Sequence, residues 1–490
     1  MKTRLVALLL LVLGLVPMAH AHVGSKDVFE TVHAGPYTLY VTVRPPNVIP
    51  GVATVEVRST GAAITGLKVT PLPVTGEASK HPPAADVMQV STADASFYTG
   101  AVWMMAGGTW QVRFDIDGAA GHQQGSVPVV AVPLSVLKMD KGMGTILALL
   151  GLFLVLSMAG IVAASVTEAR VMPGAEASPR ALRLGRIITI ASLVFMAAAV
   201  AGGLHWWNVE AAGYAEHVYK ATPVQVSLAG NQLRLTLAAA RVDPRRLPLP
   251  PNSDQFLLDH GKVMHLYAIR EPEMDVAFHL HPTLVGRGDF RDVLPAMPAG
   301  HYQLYGDVVH ASGFPETLLA TLDVPETMQG AALDPDDAKA VTSPISSGEL
   351  PPSFKLPDGY TMVWDKPAAL TAGTAYSFAF HLLDATGKPA TDTQPYLGMA
   401  GHAAFVKTDG IVFAHTHPEG SAAMADVVLA EESMGSAPAM PGMDMSSPTG
   451  PIAPNVSFPY GFPTAGRYRI FIQMKHGSVV ETGVFDADVK

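Results

Sequence analysis

A neutral imidazole donates a lone pair to borderline metal ions, and two imidazoles at i and i+2 of a strand face the same side, so together they can chelate one ion. Phe278-His279-Leu280-His281-Pro282 offers such a pair, and Ala414-His415-Thr416-His417-Pro418 offers a second. Each is preceded, at nearly the same offset, by a further histidine: His265, which ends Asp259-His260-Gly261-Lys262-Val263-Met264-His265, and His402 in Gly401-His402. The match then continues. Pro298-Ala299-Gly300-His301-Tyr302 corresponds to Thr464-Ala465-Gly466-Arg467-Tyr468, and ten residues past each glycine comes another histidine, His310 or His476. Four histidines thus recur in register in two copies about 135 residues apart.

His265 or His402, on a neighbouring strand, completes a three-nitrogen set in each copy, with His310 or His476 as a candidate fourth member. Pro282 or Pro418 lacks an N–H and ends the strand, which keeps the pair near a sheet edge where an ion can enter. The expectation is one divalent ion per repeat, in separate domains, with affinity weakening as pH falls through about 6.5, where imidazole protonates. The competing reading is that the histidines bond to backbone and carboxylates and pin the sheet, an arrangement that duplication preserves equally well.

The chain has no cysteine, which excludes disulfides, iron–sulfur clusters and thiolate zinc sites, and leaves 18 His and 22 Met as the ligand supply. Imidazole suits copper, zinc or nickel, and copper binds most tightly in the divalent series. Met434, Met440, Met443 and Met445 lie in a Ser/Pro/Gly/Ala-rich segment, 434–445, without helical or strand period. It resembles the methionine-rich segments of bacterial periplasmic copper-handling proteins, and that resemblance favours copper over zinc. The residues Gly401-His402, His415-Thr416-His417-Pro418 and Phe458 to Tyr468 resemble uncharacterised envelope proteins associated with heavy-metal handling, over roughly the last 270 residues.

The elements that must position these residues follow from composition and pattern. The 490 residues suggest three or four domains; only 15% are charged and the mean hydropathy is +0.26, so part of the chain is expected in lipid. A net charge of −10 argues against nucleic acid as a partner. Residues 1–21 read as a signal peptide: Lys2 and Arg4, an apolar run from Leu5 to Val16, and the small-residue site Ala19-His20-Ala21. Cleavage there would leave His22 at the N-terminus, where amine and imidazole can chelate a metal together.

Residues 22–136 alternate with period two between Pro/Gly turns, from Tyr37 to Val43 and from Ala53 to Arg58, which predicts a β-sandwich of immunoglobulin type. Gly108-Thr109-Trp110 matches the glycine-x-aromatic strand starts of the two later repeats. The segment from Ala34-Gly35-Pro36-Tyr37 to Phe114 resembles the YtkA/FixH-like domains of bacterial envelope proteins. A hairpin is expected over 137–210, with uncharged spans at 142–166 and 187–207 long enough to cross a bilayer. Its loop, 167–186, carries Arg170, Arg180, Arg183 and Arg186 and is placed in the cytoplasm by the positive-inside rule, so both flanks are exported. Two further immunoglobulin-like sandwiches are expected at 222–325 and 356–490, joined by a Pro/Ser/Asp/Gly-rich linker at 326–355.

The sequence therefore predicts a mainly β protein of the bacterial inner membrane, with three periplasmic β-sandwiches around a two-helix anchor. It is expected to bind copper, or alternatively zinc, for sequestration or transfer to other envelope metal-handling proteins. The rivals are an assembly protein with structural histidines and a copper-dependent oxidoreductase. No nucleophile elbow, phosphate loop or dinucleotide fingerprint supports other catalysis.

Overall fold

The computed structural model describes residues 26–169, 171–172, 174–237, 255–435 and 450–490. The signal segment, His22, Arg170 and the methionines Met440, Met443 and Met445 lie outside them. The described residues are mainly β, forming six antiparallel sheets with three α-helices. The chain divides into two compact units, 133–219 and the remainder.

The smaller unit is the helical hairpin. Its helices, Lys141–Thr167 and Pro179–Glu216, are each long and apolar enough to cross a membrane. Asp140 caps the first through its side chain to the Met143 N–H, and Ser178 caps the second, with Pro179 in the first turn where its missing N–H costs nothing. The second helix extends beyond the expected 187–207 span at both ends, so Arg180, Arg183 and Arg186 sit on its first turns rather than in a loop. Alanine-rich sequence past Trp207 propagates the helix without needing lipid-like hydropathy.

In the larger unit, consecutive sheets share cores. The strands Tyr37–Arg44 and Gly51–Gly61 of one sheet and Ile64–Pro73 and Gly108–Gly118 of another bury Leu39, Val41, Val55, Val69, Val112 and Phe114 together. After the hairpin, a sheet containing Gln232–Leu237 and Asp289–Val293 packs against one in which His265–Arg270 lies between Val276–Leu280 and Gly300–His310. The last pair repeats this plan: His402–Lys407 lies between Phe413–Thr416 and Gly466–His476, and shares a core with the sheet of Thr361–Trp364 and Tyr376–Leu383.

The glycine-x-aromatic starts use one device three times. Trp110 Nε1 donates to the Ala106 carbonyl at 2.9 Å, the Tyr302 hydroxyl to Pro298 at 2.8 Å and the Tyr468 hydroxyl to Thr464 at 2.7 Å, in each case four residues upstream. The glycine is needed because its φ is +150° at Gly300 and +136° at Gly466, and a Cβ there would meet the Arg270 or Lys407 side chain at 2.8 or 2.7 Å.

One expectation is overturned. The two histidine repeats are not independent bodies on a flexible tether. Tyr267, Ile269, Ala277 and Tyr305 of the first pack directly on Ala404, Val406, Phe413 and Phe471 of the second. The expected 326–355 linker contributes the strand Ala338–Val341, which pairs with Val276–Leu280. The central strands are therefore covered on both faces, which is why they read as continuous apolar runs instead of clean alternation.

Candidate metal centre

The repeated strands place their histidines at matching ladder positions. Tyr267 pairs with His279 across one hairpin and Ala404 with His415 across the other, so His265 lies opposite His281 and His402 opposite His417 at the open ends. The strands stop at Leu280 and Thr416, just before each His-Pro, as a proline without an N–H requires. Because the sheets pack face to face, the two open ends meet. His265 and His415, from different repeats, have ring centroids 5.1 Å apart, and His265 and His402 6.1 Å.

A seventh histidine joins them. His260 sits at positive φ in the Asp259–Lys262 turn, whose counterpart is the Tyr396–Met399 turn with Leu397 at positive φ. The two turns face one another, and His260 Nδ1 donates to the Leu397 carbonyl at 3.1 Å. The ligand atoms of His265, His279 and His281 all lie within 4.8 Å of one another, as do those of His260, His402 and His417. His415 lies between the trios, 4.8 Å from His417 and 5.6 Å from His279 by ring centroids.

The outer partners set the tautomers. His281 Nδ1 faces Asp337 at 2.8 Å, His279 Nδ1 faces Gln473 Oε1 at 2.8 Å, His417 Nδ1 faces the Ala422 carbonyl at 3.3 Å and His265 Nε2 faces the Asp259 carbonyl at 3.1 Å. His415 Nδ1 lies 3.4 Å from the Asp307 carboxylate. Each partner is an acceptor, so the nitrogen facing it carries the hydrogen and the other nitrogen keeps its lone pair. This is the arrangement by which outer groups orient metal-bound histidines.

The inward nitrogens are left without partners. Nε2 of His260, His281, His415 and His417 and both nitrogens of His402 are buried and make no hydrogen bond. His265 Nδ1 and His279 Nε2 face each other at 3.1 Å, although the outer partners make both of them acceptors. Two nitrogens bound to one ion at about 2.0–2.1 Å each would stand roughly 3 Å apart. A cation placed between the two nitrogens would be bound by both.

Electrostatics keep six of these histidines neutral. Burial, reinforced by the neighbouring imidazoles, holds His265, His279, His402 and His417 well below the usual histidine range, and those four are at most 2% exposed. Burial, with Lys262 and His415 adding to it, pushes His281 down to about 3. His260 is lowered by burial against the opposing pull of Asp259. The lone pairs are thus available at neutral pH without proton release.

Two expected members are elsewhere. His310 faces Glu316 through Nε2 at 2.9 Å and packs on Phe256. His476 stacks on Tyr360 and has Asp358 at 3.0 Å, forming with Asp358 and Glu481 a separate mixed cluster. Each lies three residues past Asp307 or Gln473, the residue opposite His265 or His402, and that odd offset turns it to the other face of the sheet. The structure gathers His265, His279 and His281 as one group, and in the other group His260 of the first repeat stands with His402 and His417 in place of His415, so the two groups are neighbours and not sites in separate domains. His260, Asp307 and Gln473 escaped the sequence reading. The signal that could have found His260 is the shared glycine of the turns, Gly261 and Gly398, each four residues before the upstream histidine.

Residues 355–490 match the model of a family described as a domain of unknown function, DUF8832. The chain has no match among curated proteins. Among solved structures, it is similar to Salmonella alpha-2-macroglobulin reacted with methylamine at 7% identity and a TM-score of 0.20, covering 96% of this chain and 24% of that one. A 1.5-MDa bacterial ice-binding adhesin follows at 6% identity and 0.14, covering 94% and 99%, and dimeric latent PorU from Porphyromonas gingivalis at 6% and 0.15, covering 95% and 34%. The chain spans about a quarter of the length of the alpha-2-macroglobulin it matches. Scores this low assign no common function.

Proposed function

We propose that this protein is a membrane-anchored metal-binding protein of the bacterial envelope that holds copper, for sequestration or hand-over, at the histidine centre between its two repeats. The observation that carries this reading is the set of buried imidazole nitrogens without partners on His260, His281, His402, His415 and His417, while the second nitrogen of His260, His281 and His417 is bonded. Leaving such groups unpaired costs about 1–3 kcal/mol each, and an ion offsets that cost. An all-imidazole donor set is suited to copper or zinc, and the order of divalent affinities favours copper. Within this reading the helical hairpin is the anchor, with the arginines at the start of its second helix on the cytoplasmic side and both β regions in the periplasm. The three sheet pairs are immunoglobulin-like sandwich domains, a view supported by the repeated aromatic-to-carbonyl bond at the strand starts.

The test is metal retention by the full-length, detergent-solubilised protein, purified without a histidine tag and dialysed after exposure to copper or zinc salts. Copper retained by the wild type and reduced in His281→Ala and His402→Ala is the expected outcome. Wild type that emerges without either metal would show the cluster to be a structural network.

A further inference from the structure

We infer that the centre holds two ions side by side, and that the second is completed across the repeat interface by His260. This deepens the reading above and rests on it. The first position is the trio His265, His279 and His281, all from one repeat; the second is His260, His402 and His417, in which one repeat lends a ligand to the other. Three observations separate this from a single large site. Each trio is compact by itself, its ligand atoms within 4.8 Å of one another. Rings of different trios stand further apart, at 6.1 Å for His260–His265, 6.1 Å for His265–His402 and 6.2 Å for His279–His402. Unpartnered nitrogens occur in both trios: His281 Nε2 in the first, and His260 Nε2, His417 Nε2 and both His402 nitrogens in the second.

The asymmetry has a simple cause. The repeats are related so that Asp259-His260-Gly261 faces Tyr396-Leu397-Gly398, and only one of the two turns carries an imidazole. In the second repeat the pair's inner member, His415, turns towards Asp307 of the first repeat, 3.4 Å away. His260 takes the place in the trio that His279 holds in the other. His415 lies between the trios with its Nε2 unpartnered, placed to donate its single lone pair to one ion or the other. The second ion therefore takes its ligands from both repeats, whereas the first takes its three from one.

Leucine is a ready substitute at the seventh position, because Leu397 already adopts the same positive φ, 49° against 52° at His260. The full-length protein is loaded with cupric sulfate, passed over a weak chelating resin, and its copper content and electron paramagnetic resonance recorded. Wild type is expected to hold one equivalent more than His260→Leu, with a signal diminished by coupling between neighbouring cupric ions. His260→Leu is expected to show the full, uncoupled signal of its remaining copper. His417→Ala, which keeps the backbone of the turn, should reproduce that loss. Equal copper content in wild type and His260→Leu, or an uncoupled wild-type signal, overturns the two-ion arrangement while leaving metal binding intact. A wild type that retains no copper overturns both.

Discussion

Gln473 and Asp307 hold the same ladder position in the two repeats, Gln473 opposite His402 and Asp307 opposite His265, yet each serves a histidine of the other repeat. Gln473 accepts from His279 Nδ1 at 2.8 Å and from the Tyr267 hydroxyl at 3.3 Å. Because Tyr267 stacks flat on His279 at 4.2 Å, the amide and the phenol together set the ring's direction. Replacing Gln473 by Leu removes the nearer acceptor and leaves the buried His279 N–H only the Tyr396 hydroxyl at 3.3 Å, at a cost of up to about 1–3 kcal/mol. Loss of such an orienting group typically lowers metal affinity about 10–100-fold. Chelator competition on Gln473→Leu should show a drop of that size, and Gln473→Glu, which keeps an acceptor, should restore most of it. Unchanged affinity in the leucine variant would mean that the ring needs no such guide. The repeat made His265, His279, His281 and their counterparts legible in the sequence, because identical letters recur at matching spacing. His260 was not, since its counterpart is Leu397, and matching by identity is blind to the position where two copies diverge.

At the scale of elements, the loop after His417 is stitched to the first strand of the N-terminal β region, Val28–Ala34. Thr31 N–H donates to the Glu419 carbonyl at 2.6 Å, Ser421 N–H to Phe29 at 2.9 Å, and Ala422 N–H to the Glu30 carboxyl at 2.6 Å. The same Ala422 carbonyl faces His417, so this strand supports a residue of the centre. The strand falls within the β-domain expected over 22–136, but its partner about 390 residues away left no local trace. Burial pushes the Glu30 carboxyl up to about 8, against the pull of its backbone donors. In the unfolded chain a glutamate titrates near 4.3, so between about 4.3 and 8 the folded form holds a proton that the unfolded form has lost. The contribution of this group is full below the lower value and is lost as pH rises to 8. Glu30→Gln, neutral throughout, should therefore unfold at a higher temperature relative to wild type at pH 8.5 than at pH 5. A constant difference between the two proteins across that range would remove Glu30 from the pH response.

At the scale of the molecule, the centre exists because two similar sheets bury their outer faces on one another, and that docking was hidden by its own physics. A strand covered on both sides shows no polar face, so Leu266 to Ile269 and Ala403 to Val406 read only as apolar runs, compatible with a simple core. One polar fastening at this interface is Arg469. Its guanidinium is fully buried, pairs with Asp486 at 2.9 and 3.2 Å, and reaches across to the carbonyls of Met274 and Ser343 at 2.8 and 2.9 Å. Removing one partner of a buried pair strands the other charge, which typically costs about 3–5 kcal/mol. Arg469→Ala should lower the chemical denaturation midpoint by a corresponding amount. Paired apolar replacement, Arg469→Met with Asp486→Leu, should recover part of it, held back by the Leu350 N–H that Asp486 also accepts. If Arg469→Ala leaves the midpoint within experimental scatter, the docked repeats do not depend on this pair. If instead the loss is confirmed, copper bound by the trio containing His260 should weaken with it, because that trio requires docked repeats. The trio of His265, His279 and His281 should weaken less, since its three ligands come from a single repeat and only the Gln473 acceptor of His279 comes from the other.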